Sequence, residues 1–377
     1  MTVATRGAYP RMARPGRSDL TAKPTGLGWV IASEGLTSVL GFLALMTLAR
    51  RLGPDRFSDV EFATAVTVWL LVLVRGGFDV IVTREAARKV GLVAPLTDLL
   101  LGLRLVSAVV AFALAVAIGW VVGPPRETLV VLAGLVLFGS AGAADLWPRA
   151  LGRLGWIAVG PVVRALAYYL LILELIRDSN DATRAVICVV IAEGLASLAT
   201  WWVHRTRIGP VIPRWRGRAS RVLAVRGVQA GLIRFGRVTL FGLDLLAMGG
   251  WRGEDVGEYA AARRVVFALV GLGMVLPATL GPSIARAWMD GSRDASARVS
   301  WIAGALWTWT LPATIGLAMT ADRTMPILFG PDYADGGCWL VIVTARLPWL
   351  LASSLAQTAL VACRREALCL RLVAWQT

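Results

Sequence analysis

Along the chain, apolar runs near twenty residues long alternate with short charged connectors, and a helix needs a run of that length to cross the hydrocarbon core of a bilayer. The pattern predicts about ten such helices, at 26–49, 60–83, 98–123, 128–147, 154–176, 185–203, 222–248, 257–282, 298–319 and 338–362. Pro124 and Pro125 punctuate the connector between the third and the fourth. The run 222–248 is the least apolar, because it carries Arg234, Arg237 and Asp244. The predicted fold class is all-α and integral to a membrane, with about ten transmembrane helices arranged six plus four.

The connector 204–221, HRTRIGPVIPRWRGRASR, is the longest and most basic. It divides the chain into a first lobe, 26–203, and a second, 222–362. Residues 1–25 carry Arg6, Arg11, Arg14, Arg17 and Lys23 among Pro, Gly and Ser, the composition of a disordered basic tail. The run that follows is too long for a signal-peptide core and lacks an AxA exit, so it reads as the first helix. Residues 363–377 are too few and too charged to cross again and form a second tail. With the N-terminus on the cytoplasmic side, Lys and Arg concentrate in the connectors that fall inside, which places both tails in the cytoplasm.

One stretch organises the rest. Ala49 to Lys89 opens with a charged loop, ARRLGPDRFSDVE, continues as an apolar helix and ends in a basic cluster. Its Asp59-Val60-Glu61-Phe62-Ala63 is echoed by EDVGEYAAA at Glu254 to Ala262. Two related hairpins in one membrane chain are the mark of a two-lobed transporter built from repeats.

Composition narrows the chemistry. Of 377 residues, 57% are hydrophobic and 17% charged, too apolar for a soluble chain of this size. The net charge of +15 is almost all Arg, with Lys only at 23 and 89, and it follows topology without forming an aromatic-interleaved stripe; nucleic acid is not an expected partner. Cys188, Cys338, Cys363 and Cys369 form no CxxC, and His204 is the only histidine, so neither a zinc site nor histidine catalysis is expected. There is no P-loop, and Gly26-Leu27-Gly28 and Gly271-Leu272-Gly273 lack the third glycine of a dinucleotide fingerprint; no cofactor is expected. Trp120, Trp147, Trp201, Trp202 and Trp251 lie near helix ends, where interfacial anchors belong.

Arginines inside apolar runs are the informative set, since each is costly unless paired, snorkelled or facing water. Arg75 with Asp79, and Asp145 with Arg149, sit four apart on one helix face and can neutralise each other. Arg104 lies near a helix end and can snorkel. Arg164 has no partner at helical spacing, and Arg234, Arg237 and Asp244 share much of one face. With Arg263, Arg264 and Arg346, these residues describe a cationic cavity for an anionic substrate, because guanidinium pairs bidentately with phosphate or carboxylate. The alternative is structural: intrahelical pairs or lipid-headgroup contacts. Asp79 and Asp244, ahead of Glu34 and Glu174, are candidates for coupling to a cation gradient, and pairing to arginine is the competing role.

The chain resembles the polysaccharide biosynthesis (Wzx or RfbX type) flippases of the multidrug/oligosaccharidyl-lipid/polysaccharide (MOP) exporter superfamily. The resemblance is carried by Leu48-Ala49-Arg50-Arg51-Leu52-Gly53-Pro54, Gly76-Gly77-Phe78-Asp79, Thr83-Arg84-Glu85-Ala86-Ala87-Arg88, Val256-Gly257-Glu258-Tyr259-Ala260-Ala261-Ala262-Arg263-Arg264, Leu276-Pro277 through Gly281-Pro282, and Ile327-Leu328-Phe329-Gly330-Pro331-Asp332-Tyr333. It implies a two-lobed bundle in the bacterial inner membrane whose central cavity opens alternately to each side. The implied substrate is an undecaprenyl-pyrophosphate-linked oligosaccharide, its pyrophosphate held by the arginines, and the implied partners are a polysaccharide polymerase and glycosyltransferases. The family has twelve or more helices, six per lobe, whereas four are expected in the second lobe here. Alternative readings are a multidrug exporter of the same superfamily, a membrane glycosyltransferase using Asp55, Asp59 and Glu61, and an inactive truncated member.

Overall fold

A computed structural model of the chain describes residues 25–88, 90–151, 153–210, 254–290 and 292–363, together with 212, 213, 217, 223, 227, 231, 232, 235, 236, 238, 239, 242, 244–248 and 368. Every regular element among the described residues is helical. Six segments of them are long and apolar enough to cross a membrane: Ala32–Arg75, Val93–Val122, Gly155–Leu175, Ser179–Arg207, Arg293–Met319 and Pro331–Leu360. Of the 27 residues of the expected helix 222–248, 13 lie outside the described residues, Arg234 and Arg237 included.

The first element, α1 (Thr25–Arg75), has 51 residues, about 75 Å if straight and over twice the thickness of a hydrocarbon core. Gly53 breaks it. Its φ of 72° is open to glycine and strained for other residues, and Pro54 behind it has no N–H to continue the ladder. The result is two helical arms meeting at an elbow. α2 (Phe78–Arg88) follows, then α3 (Val93–Val122), α4 (Arg126–Gly134), α5 (Val136–Gly142), α6 (Leu146–Ala150), α7 (Leu154–Ile157), α8 (Val159–Leu175) and α9 (Ala182–Arg207). After the connector come α10 (Glu254–Asp290), α11 (Ser292–Met319), α12 (Ala321–Phe329), α13 (Gly337–Thr344) and α14 (Leu347–Ala362).

Five departures from the sequence pattern matter. The expected helix 60–83 ends at Arg75, because Gly76 takes a φ of 41° and starts a new element. The expected helix 128–147 is three pieces, with Ala143 extended between α5 and α6. The expected helix 338–362 is divided at Ala345 and Arg346, and α12 was not anticipated. Trp147 is no interfacial anchor: it is buried against Trp156, whereas Trp120 and Trp202 are exposed.

α1 packs on α3, α4, α5, α8 and α9, and also on α10, which in turn carries α11, α13 and α14. One apolar cluster therefore runs from Ala44, Leu48 and Phe57 through Ala260, Val266 and Met325 to Leu351. Charged residues at the elbow fix this junction. The C-terminal turn of a helix leaves carbonyls without intrahelical donors, and guanidinium supplies donors. Arg51 donates to the carbonyls of Ile172 (3.2 Å), Leu173 (3.0 Å) and Ile176 at the end of α8. Its neighbour Arg50 does the same at the end of α12, to Leu328 (2.8 Å) and Ile327. The Tyr333 hydroxyl donates to the Ala49 carbonyl at 3.2 Å.

α1 and α10 approach closely where Gly257 meets Pro54, since a β-carbon on Gly257 would overlap the Pro54 carbonyl. Gly257→Ala should therefore lower the melting temperature of the detergent-purified protein, an overpacking cost of about 1–3 kcal/mol despite alanine's better helix propensity. Gly271→Ala, facing open space on the same helix, should leave it unchanged or raise it. Equal melting temperatures for the two variants would contradict this packing.

Candidate functional site

A cavity of about 400 Å³ lies among α1, α4 to α6, α7, α8 and α9. Its charged lining is Arg75, Arg149 and Arg164 with Asp145 and Glu193; Thr64, Thr67, Ser140, Ser197 and Thr200 add hydroxyls, and Trp147 and Trp156 add aromatic faces. The local backbone explains this concentration. Ala143 to Asp145 are non-helical, which frees backbone groups that a membrane interior leaves without water. They are met by the protein itself: the Ala144 N–H donates to Thr200 Oγ1 at 3.2 Å, and the Ala143 carbonyl accepts from Arg104 Nη1 at 2.8 Å. That break turns Asp145 toward the cavity.

Asp145 is shared by three arginines. Its Oδ1 accepts from Arg104 Nη1 at 3.1 Å, and its Oδ2 from Arg149 Nη2 at 2.8 Å, with Arg75 Nη1 at 3.7 Å. Arg75 Nε also donates to Ser140 Oγ at 2.7 Å. The Asp145–Arg149 pair forms as the spacing indicated, although Asp145 stands just ahead of α6 rather than within it. The Arg75–Asp79 pair does not, because Gly76 and Gly77 separate the two residues onto different helices. Asp79 instead meets Arg104 Nη2 at 2.7 Å. Arg104 does not snorkel: its side chain is 1% exposed, held between Asp79 and Asp145. It stands twelve residues into an apolar helix, a depth that could have signalled burial. Arg164 approaches Glu193 on α9 at 3.6 Å with 56% of its side chain exposed. Glu193 was not singled out from the sequence, although it is the one acid within VICVVIAEGLASLA. Glu34 and Glu174 are exposed.

The remaining arginines are elsewhere. Arg263 and Arg346 converge on Asp244, at 3.4 Å and 2.6 Å, and the Tyr259 hydroxyl donates to the same carboxylate at 2.5 Å. Arg263 also lies over the Phe267 ring, 4.5 Å from its centroid. Arg264 makes a two-pronged contact with Glu61 on α1, at 2.7 to 3.0 Å, and Asp59 is bound by Arg126, which lies 5.1 Å over the Phe62 ring. Thus the candidates form a cavity group (Arg75, Arg164), an Asp244 group (Arg263, Arg346) and a junction pair (Arg264). Asp59 and Glu61, the acids a glycosyltransferase reading would use, each hold an arginine. Among the described residues no group of His, Cys, Asp and Glu is placed to hold a metal.

An all-helical bundle with broken helices at a charged, partly open cavity is the build of a membrane transporter. Solved structures agree on the fold. An inward-facing multidrug resistance MATE family transporter of the MOP superfamily matches with a TM-score of 0.67 at 14% identity, over 92% of this chain and 87% of that one. The MATE multidrug transporter DinF-BH in complex with R6G matches with a TM-score of 0.60 at 15% identity, over 96% and 88%. The family model "Polysaccharide biosynthesis protein" matches residues 25–288, and the chain belongs to that family. The succinoglycan biosynthesis transport protein ExoT of Rhizobium meliloti (strain 1021) is 24% identical over 324 residues, which cover 82% of this chain; the chain spans 63% of the length of that relative.

The Glu61–Arg264 contact supplies a further test, because removing one partner of a buried pair leaves an uncompensated charge. Glu61→Ala should destabilise the protein by about 3–5 kcal/mol, and adding Arg264→Met should restore most of the loss. A double variant as unstable as the single one would contradict the pairing.

Proposed function

We propose that the chain moves a lipid-linked oligosaccharide between the leaflets of the bacterial inner membrane by alternating access, for assembly of a surface polysaccharide. The carrier is undecaprenyl pyrophosphate. Arg75, Arg149 and Arg164 meet its pyrophosphate, and the prenyl tail stays in lipid. The observation that carries this reading is the cavity's charge: three guanidiniums against two carboxylates among its charged lining residues, a cationic surplus. Guanidinium forks match phosphate oxygens, and an organic cation would call for the opposite balance, which disfavours the multidrug reading. Family membership and the name of the succinoglycan transport relative support polysaccharide assembly as the setting. The chain is taken as two lobes, 26–203 and 222–362, joined by the basic segment 204–221, with tails 1–25 and 363–377 in the cytoplasm. Arg234, Arg237, Arg263 and Arg346 are further substrate-binding arginines in this reading, and Asp244 is the coupling residue. A polysaccharide polymerase and glycosyltransferases are its partners.

Arg164 is the cleanest probe, since its exposed side chain contributes little to packing. Arg164→Ala should reduce polymer export at least tenfold while membrane levels of the protein stay normal, and Arg164→Lys should restore part of it. Export is read as surface polysaccharide, together with lipid-linked repeat units retained on the cytoplasmic leaflet. Full export with Arg164→Ala, or no change in repeat-unit sidedness on deleting the gene, would overturn the reading.

A further inference from the structure

We propose that Asp145 and Glu193 are built-in counter-anions: they hold the cavity arginines while no ligand is present and compete with the ligand's diphosphate, keeping it bound weakly enough to leave. The inference rests on reading the cavity as an anion site. Both carboxylates line the cavity, and each faces arginines that line it too, Asp145 with Arg75 and Arg149, and Glu193 with Arg164. Their sharing is uneven. Asp145 divides two oxygens among three guanidiniums, and the third, Arg104, is buried behind the cavity with Asp79 as its second partner. Arg104 can therefore stay in place while Arg149 and Arg75 turn to a ligand. Each guanidinium has five N–H donors in a rigid fork, so one that meets a carboxylate with a single edge keeps donors for a phosphate.

Physical chemistry sets the sign. In a low-dielectric site a fixed carboxylate near an incoming diphosphate repels it and occupies the donors it needs. A carrier gains from that opposition, because a ligand must be held strongly enough to enter and loosely enough to exit. A carboxylate that only props up arginines gives the opposite result: neutralising it disorders them and weakens binding. Neutral amides of the same shape separate the two roles, since Asn and Gln still accept from the arginines and lack the charge.

The test is calorimetric titration of the full chain in detergent with inorganic pyrophosphate. Asp145→Asn and Glu193→Gln should each bind it about tenfold more tightly than the unaltered chain and should slow turnover in vesicles. Glu193→Gln keeps the proposal testable if Asp145→Asn fails to fold, because Arg164 is largely exposed and does not depend on Glu193 for burial. A short prenyl diphosphate titrated alongside distinguishes sources: tightening with both probes assigns the effect to the diphosphate itself, and tightening with the prenyl probe alone assigns it to a lipid-borne headgroup. Unchanged or weaker binding in the folded variants, with the unaltered chain still binding, would overturn the counter-anion role alone. No binding by any of the proteins would overturn the anion-site reading with it.

Discussion

The elbow in α1 is the constraint on which the packing depends. A helix of that length has to break to stay within a bilayer, and the break brings charged side chains beside the open carbonyl ends of neighbouring helices. Arg50 and Arg51 are those side chains. Adjacent in sequence, they reach in different directions and donate to the exposed carbonyl ends of α12 and α8, one from each half of the chain. Asp59 and Glu61, a little further on, bind α4 and α10 through Arg126 and Arg264. Four charged residues around one glycine thus tie four helices together. Their value is positional as much as energetic, because a buried pair gains little net stability over apolar packing yet specifies which surfaces meet.

The same rule shapes the cavity. Its lining residues come from further along the helices that the elbow anchors: Arg164 rather than Ile172 on α8, and Ala133 rather than Arg126 on α4. One end of these helices is closed by capping and ion pairs, and the open, hydroxyl-lined space lies toward the other. Every guanidinium at the cavity shares its carboxylate or meets it from a half-exposed position. Such partners can be exchanged without dismantling the bundle, unlike Arg104 with Asp79 or Arg264 with Glu61.

Much of the helical layout was legible, because twenty-residue apolar runs have few other uses. Pairing was legible only at short sequence spacing. Asp145 with Arg149 followed from spacing, and the same rule failed for Arg75 and Asp79, because Gly76-Gly77 breaks the helix between them. Pairs between helices left no pattern to read: Asp145 with Arg104, and Arg264 with Glu61, are 41 and 203 residues apart. Glu193 was passed over because its partner comes from another helix. The fragmentation of 128–147 was also hidden, since hydropathy measures burial in lipid and is blind to a backbone break satisfied by Thr200 and Arg104.

The sign of the cavity's charge decides which substrates it accepts, so the most direct measurement is substrate charge selectivity in a defined membrane. Reconstituted into vesicles, the chain should carry a fluorescent sugar linked to a prenyl diphosphate from one leaflet to the other and leave the matching neutral prenyl alcohol and an organic cation where they were placed. Movement of the organic cation, with the diphosphate lipid left behind, would contradict it.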